Sequence, residues 1–184
     1  ASLKYIEIKD HSQLTSLDFS GLSSLEEINI TSNYSLNNLI LSNNNSLINL
    51  NCNQNALGYG GGYSLDVSDC IALKVLNCSN NNQGGISSNF LSSINGINNC
   101  SLLEELYAFG NNLSNLDLTS NTSLTKIYVN NNSLINLDLR NIPVANVTRM
   151  HAYGNYALSC ISVDDSTLAT SLSSNPYGIS LGTE

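Results

Sequence analysis

Tryptophan is absent from this 184-residue chain, proline occurs twice, methionine once and phenylalanine three times. Only 11% of the residues are charged, against about a quarter in an ordinary globular protein. Six basic residues stand against fourteen acidic ones, a formal charge of -8. That balance argues against nucleic acid as a partner, because such binding rests on clustered lysine and arginine. No apolar run approaches the roughly 18 residues of a membrane helix, so no membrane span is expected. There is no C-x-x-C pair, and His11 and His151 are far apart, so neither a zinc site nor another metal or cofactor is expected. G-x-S-x-G, H-E-x-x-H and phosphate-loop patterns are all missing, and neither histidine has a nucleophile and base beside it. An enzyme is therefore not expected. No signal peptide is visible, and Ala1 is compatible with a mature N-terminus after cleavage.

What fills the chain instead is 31 Asn, 29 Ser and 29 Leu, nearly half of all residues. Such a bias points to a repeat. Short apolar-x-apolar runs recur in two alternating sets. The first comprises Ile6–Ile8, Ile28–Ile30, Leu50–Cys52, Leu76–Cys78, Leu106–Ala108, Ile127–Val129 and Met150–Ala152, here called the A side. The second comprises Leu17–Phe19, Leu39–Leu41, Leu65–Val67, Asn95–Ile97, Leu116–Leu118, Leu137–Leu139 and Ile161–Val163, the B side. Alternation over a short run makes a half-buried strand. A leucine three residues earlier, as at Leu25, Leu47, Leu103 and Leu124, fills the corner. The expected fold is mostly β: a solenoid of seven coils with two short parallel strands per coil, little or no helix, and a length near 30 Å. Residues 1–165 form the solenoid and 166–184, which break the pattern, a C-terminal cap or tail.

Asparagines recur five positions after the strand start, at Asn33, Asn44, Asn55, Asn81, Asn111, Asn121, Asn132 and Asn155. An inward amide supplies two donors and an acceptor to the backbone groups that each turn leaves unpaired. The same repeat generates N-x-S/T sequons at Asn29, Asn33, Asn44, Asn77, Asn99, Asn112, Asn121, Asn131 and Asn146, so the sequons are weak evidence of glycosylation.

The pattern L-x-x-L-x-L-x-x-N followed by x-L-x-x-L-D-L-x-x-N, clearest from Leu103 to Leu139, resembles the leucine-rich repeat superfamily. More narrowly it is similar to the nested, roughly 21-residue class called IRREKO. The L-x-C forms at Leu50–Cys52 and Leu76–Cys78 and the ending Tyr156–Asp165 are similar to secreted leucine-rich repeat proteins of Bacteroidota. The resemblance implies an extracellular or cell-surface protein of bacterial type, with a binding or adhesive role. Asp165-Ser166-Thr167 also resembles an O-glycosylation site of that group.

Five cysteines have repeat addresses. Cys52 and Cys78 replace core aliphatics in successive coils and are expected to be buried free thiols. Cys70 and Cys100 share a turn position in the same two coils; a disulfide between them competes with two free thiols. Cys160 has no mate.

Three places compete for a ligand. On the outward A face, Glu7, Lys9, Asn29, Thr31, Asn51, Asn53, Asn77 and Ser79 give way in the last three coils to Tyr107, Phe109, Tyr128, His151 and Tyr153. These rings form either a recognition patch or a stack that stabilises the sheet. Insertions carrying Tyr59, Tyr63 and Phe90 are either a second contact surface or tolerated loops. The B-side aspartates Asp18, Asp66, Asp117 and Asp138, with Asp164 and Asp165, supply too few oxygens for calcium. The function expected is binding of a protein or glycan through the aromatic face. The alternative is a structural protomer that associates end to end, because the repeat starts almost at residue 1 with little to cap it.

Overall fold

The computed structural model describes residues 2–58, 64–81 and 91–164. The leucine pattern winds into a coil whose A strands stack in one parallel sheet. Its members are β1 (Tyr5–Lys9), β3 (Glu27–Thr31), β5 (Asn49–Asn51), β7 (Val75–Asn77), β9 (Glu105–Tyr107), β10 (Lys126–Tyr128) and β12 (Arg149–His151), in that order. Seven strands bound six complete turns. On the B side lie β2 (Ser16–Asp18), β4 (Asn38–Ile40), β6 (Ser64–Asp66), β8 (Ser93–Asn95), β11 (Asn136–Asp138) and β13 (Cys160–Ser162). These pair only as β2–β4, β6–β8 and β11–β13, and Asp117 is joined to Asp138 by an isolated bridge. The protein is thus a mostly β, leucine-rich-repeat-like parallel solenoid. The only helical turns among the described residues are 3-10 turns at Ile97–Asn99 and Val144–Asn146.

Register follows the apolar positions. Ile28, Leu50, Leu76, Leu106 and Ile127 are in line and almost wholly buried. The corner leucines Leu25, Leu36, Leu47, Leu73, Leu103, Leu113, Leu124 and Leu134 are fully buried with them. One core therefore runs the length of the molecule, fed by two strand sides and two rows of corners.

The fourth B strand corrects the expectation drawn from sequence. Ile94, not Asn95, takes the inward position opposite Leu65. Gly96 is an added residue with φ +72°, and it lets Ile97 fill the next inward site. A Cβ at Gly96 would lie 2.2 Å from Ser68 Oγ and 2.3 Å from Ser68 Cα, so only glycine fits.

Asparagine side chains close the turns from inside. Asn81 Nδ2 donates to Cys52 O (3.2 Å) and Cys78 O (2.7 Å), while its Oδ1 accepts from Asn55 N–H (3.2 Å). Asn55 repeats the arrangement one coil earlier, donating to Ile30 O and Cys52 O and accepting from Asn33 N–H. Asn132 and Asn155 repeat it later in the chain. Each amide so satisfies backbone groups of two coils at once.

Candidate functional site

Among the described residues, the last three A strands build the one concentration of rings in contact. In-register parallel pairing aligns Tyr107, Tyr128 and His151 across β9, β10 and β12. Their outward side chains then stand one strand spacing apart, close enough for ring contact. Tyr107 and Tyr128 stack with centroids 5.0 Å apart and planes 20° from parallel. Tyr128 meets His151 edge-on at 4.6 Å, and His151 meets Tyr153 at 5.8 Å. Four of the five rings expected to cluster do so. Phe109 stays out of the ring contacts, because its register neighbour in the next coil is Asn130 rather than a ring.

The stacking direction decides what this surface offers. Ring faces of Tyr107 and Tyr128 are turned toward each other along the solenoid axis. Solvent therefore meets ring edges and hydroxyls, not a flat platform. Both rings are half-buried, while Tyr153 is exposed.

A charged column runs beside the rings, two residues earlier on each strand: Glu105, Lys126 and Arg149. Lys126 Nζ donates to Glu105 Oε1 (2.7 Å), and the Tyr107 hydroxyl donates to Glu105 Oε2 (2.6 Å). Those two donors, Lys126 first, hold the Glu105 carboxyl below its ordinary value. Desolvation, and then the bond to the same carboxylate, raises the Tyr107 phenol. Sequence reading passed over this column. The signal was available as the residue two before each ring on the same strand face.

Where the ring column runs back into earlier coils, it becomes Asn29, Asn51 and Asn77. These amides bond locally or to the neighbouring coil: Asn51 Oδ1 accepts from Asn53 N–H and Asn77 Oδ1 from Ser79, while Asn29 Nδ2 donates to Glu7 Oε1. The face changes character between β7 and β9, from small amides to rings.

The other candidates gather less. Tyr59, Tyr63 and Phe90 lie outside the described residues, as do Asp165 and the segment 166–184. The B-side aspartates cap their own strands. Asp18, Asp66, Asp117 and Asp138 each accept the backbone N–H two residues ahead, at 2.8 to 3.0 Å. Side-chain donation from Ser20, Thr119 and Arg140, then those backbone bonds, lowers the pKa of Asp18, Asp117 and Asp138. No three or more His, Cys, Asp or Glu among the described residues form a group able to hold a metal.

All five cysteines are free, so the Cys70–Cys100 bridge is not formed. The reason is where the thiol points. Cys100 Sγ is directed at Cys70 O (3.4 Å) and Val67 O (3.8 Å). Asn44 Nδ2 addresses Phe19 O and Leu22 O, and Asn121 Nδ2 addresses Ile97 O and Cys100 O, at the same repeat position. The thiol thus stands in the amide's place as a weak donor. Burial pushes the Cys100 thiol up to about 11 and those of Cys70 and Cys78 to about 12. Such thiols are poor nucleophiles near neutral pH.

Grooves among the described residues open away from the rings. One of about 290 Å³ lies between Leu39–Ser42 and the Asp66, Ser68 and Asp69 side chains; one of about 270 Å³ lies between Ser93–Asn98 and Asn115–Asp117. The third, about 600 Å³, lies beside β1 against Ile8, His11, Leu14 and Leu17.

No family model matches the chain, and no curated protein matches it. Among solved structures it is similar to the functional domain of InlJ from Listeria monocytogenes, which is described as including a cysteine ladder. Identity is 17%, the match covers 88% of this chain and 59% of that one, and the TM-score is 0.35. The chain therefore spans less than two thirds of that domain's length.

Proposed function

We propose that this solenoid is an extracellular, cell-surface binding module of bacterial type, with an adhesive role, that engages a protein partner through the ring-bearing end of its A face. The repeat pattern, of the nested 21-residue kind, supports a secreted leucine-rich repeat protein. Solenoids of this class are typically non-enzymatic and present a sheet face to partners.

The observation that carries the reading is the ladder Tyr107–Tyr128–His151–Tyr153. Its stacking favours a protein over a glycan. Sugars are held by ring faces, and Tyr107 and Tyr128 each turn one face to the other. Edges, hydroxyls and the neighbouring charged column are what protein surfaces use, as in tyrosine-rich paratopes.

The test uses a displayed random-peptide library panned on the wild-type protein, with a glycan array in parallel. Enriched clones should bind the wild type and lose at least about tenfold affinity on Tyr107→Ser/Tyr128→Ser/Tyr153→Ser. Tyr107→Phe/Tyr128→Phe keeps the stack and removes two hydroxyls, so it separates lost contacts from lost fold. Clones indifferent to both variants, or array hits with no peptide hits, would overturn the assignment.

A second reading, self-association, draws on the first coil, where Leu3 is 55% exposed, Ile6 and Ile8 are half-buried, and a groove opens along Ile8, Leu14 and Leu17. Light scattering over a wide concentration range checks it. A constant 19.7 kDa removes this reading, and mass rising with concentration supports it.

A further inference from the structure

The chain carries a net charge of -8, yet its ring-bearing corner holds two cations for one carboxylate. Five of the six basic side chains are committed: Lys4 to Glu26, Lys9 to Glu7, Lys74 to Glu104, Lys126 to Glu105 and Arg140 to Asp138. Arg149 makes no ion pair among the described residues. It is exposed, on the outward face of β12. Its register neighbour is Lys126, whose charge is already met by Glu105. On its own strand the next outward residue is His151, the third ring of the ladder. An unmatched guanidinium therefore borders a strip of tyrosine edges.

We infer that Arg149 is the charge anchor for an acidic protein segment, and that the partner presents Asp or Glu side chains to Arg149 while its backbone and apolar groups lie along Tyr128 and Tyr107. This inference rests on the binding role proposed above and names the chemistry of the partner. A guanidinium takes a carboxylate bidentately, which fixes orientation as well as adding attraction. The net charge of -8 attracts basic partners over most of the surface, so an acidic segment is drawn to this corner alone, where two cations stand against one carboxylate. An acidic glycan would satisfy Arg149 equally, but the facing sides of Tyr107 and Tyr128 are closed to it.

The experiment is an NMR shift titration with three probes: an acetylated dodecamer of glutamate, a dodecamer of glutamine, and an oligogalacturonate of matching charge. The glutamate peptide should shift residues 105–107, 126–128 and 149–151, and should do so less as salt is added. Arg149→Gln should weaken it about tenfold. Arg140→Gln, a cation on the B side already paired with Asp138, should leave it unchanged. No shift with the glutamate peptide, equal binding to Arg149→Gln, equal binding of the glutamine peptide, or binding of oligogalacturonate alone would overturn the inference. Library clones that depend on the tyrosines but carry no excess of Asp and Glu would overturn it too, while leaving the proposed function standing. Clones independent of the tyrosines would remove the proposed function itself.

Discussion

The two long sides of the solenoid carry the same leucine pattern and end differently. On the A side seven strands pair without interruption, whereas the B side falls into three pairs and one bridge. The cause lies in the arcs that feed them. The arc leading into an A strand is 11 residues in four of six cases, as from Leu17 to Ile28 and from Leu65 to Leu76. The arc leading into a B strand is 11 residues in the first two coils (Ile6 to Leu17, Ile28 to Leu39). It grows to 15 in the third (Leu50 to Leu65) and 18 in the fourth (Leu76 to Ile94), then drops to 10 (Leu106 to Leu116). The two breaks fall at the jumps, between β4 and β6 and between β8 and Asp117, and a groove opens at each. The change of three residues between β6 and β8 leaves that pair intact, whereas the changes of four and of eight residues coincide with the two breaks.

That comparison breaks most sharply at Gly96. Gly96→Ala puts a Cβ against the Ser68 backbone at a φ of +72°. The left-handed strain and the overlap together should destabilise by about 4 kcal/mol, read by urea unfolding. Gly21 has φ +74° and open space around it. Gly21→Ala should cost only about 1 kcal/mol, the strain alone. Equal costs would mean that the β6–β8 packing does not hold Gly96 as described.

Next in size is the interior column. In Asn81→Ala, Cys52 O and Cys78 O each keep a second amide, from Asn55 and Asn111, while Asn55 N–H is left buried without a partner. The expected cost is about 3 kcal/mol. On the B side, Cys100→Ala removes a weak donor from carbonyls that keep backbone partners, Cys70 O from Leu73 N–H and Val67 O from Cys70 N–H. That change should cost about 1 kcal/mol, from the small cavity. Cys100→Asn restores the amide that Asn44 and Asn121 use, and should be neutral or stabilising. A Cys100→Ala loss as large as that of Asn81→Ala would show that the two columns do equal service.

These differences mark how far the residues alone could be read. The A strands, the corner leucines and the inward asparagines were legible because a constant period fixes the face of every residue. The B strand at Ile94 was misplaced by one, because a single added glycine leaves Ile97 inward while moving the inward position before it from Asn95 to Ile94. The ring column at Tyr107, Tyr128 and His151 was legible as a column. Its stacking was one of two alternatives left open, since periodicity sets where Cβ points and not how the ring turns about χ2. Arg149 was passed over because it is ordinary in sequence. It stands out only once its neighbours' ion pairs are drawn.

The same A sheet offers a smaller contrast between its two halves. Tyr128→Ser removes a stacked partner and an edge contact, and should cost about 1 kcal/mol beyond the loss of buried area. Asn51→Ser, at the equivalent position three strands earlier, removes one 3.4 Å bond to Asn53 N–H and should cost no more than about 0.5 kcal/mol. Thermal melts of both variants at one protein concentration check the pair. Matching losses would make the rings a matter of bulk, not of contact with one another.

The smallest effect expected is the pH dependence at the charged column. Glu105 has its pKa lowered in the folded protein, first by Lys126 and then by Tyr107, relative to its value in the unfolded chain. Its stabilisation is therefore complete above the unfolded carboxylate value of about 4.3 and is lost as pH falls through the depressed folded value. The pair is partly open to water, with side-chain exposures of 26% for Glu105 and 35% for Lys126, so screening keeps the effect to about 0.5 kcal/mol. Lys126→Met removes the larger cause of the shift and leaves the Tyr107 hydroxyl. Between about pH 5 and pH 3 the wild type should lose slightly more stability than Lys126→Met, on top of a common loss from Asp18, Asp117 and Asp138, whose pKa values are also lowered. Identical acid profiles would mean that Glu105 is not held by Lys126 in solution. Lys126 would then stand beside Arg149 as a second unmatched cation, and the anchor for an acidic partner would be two residues wide.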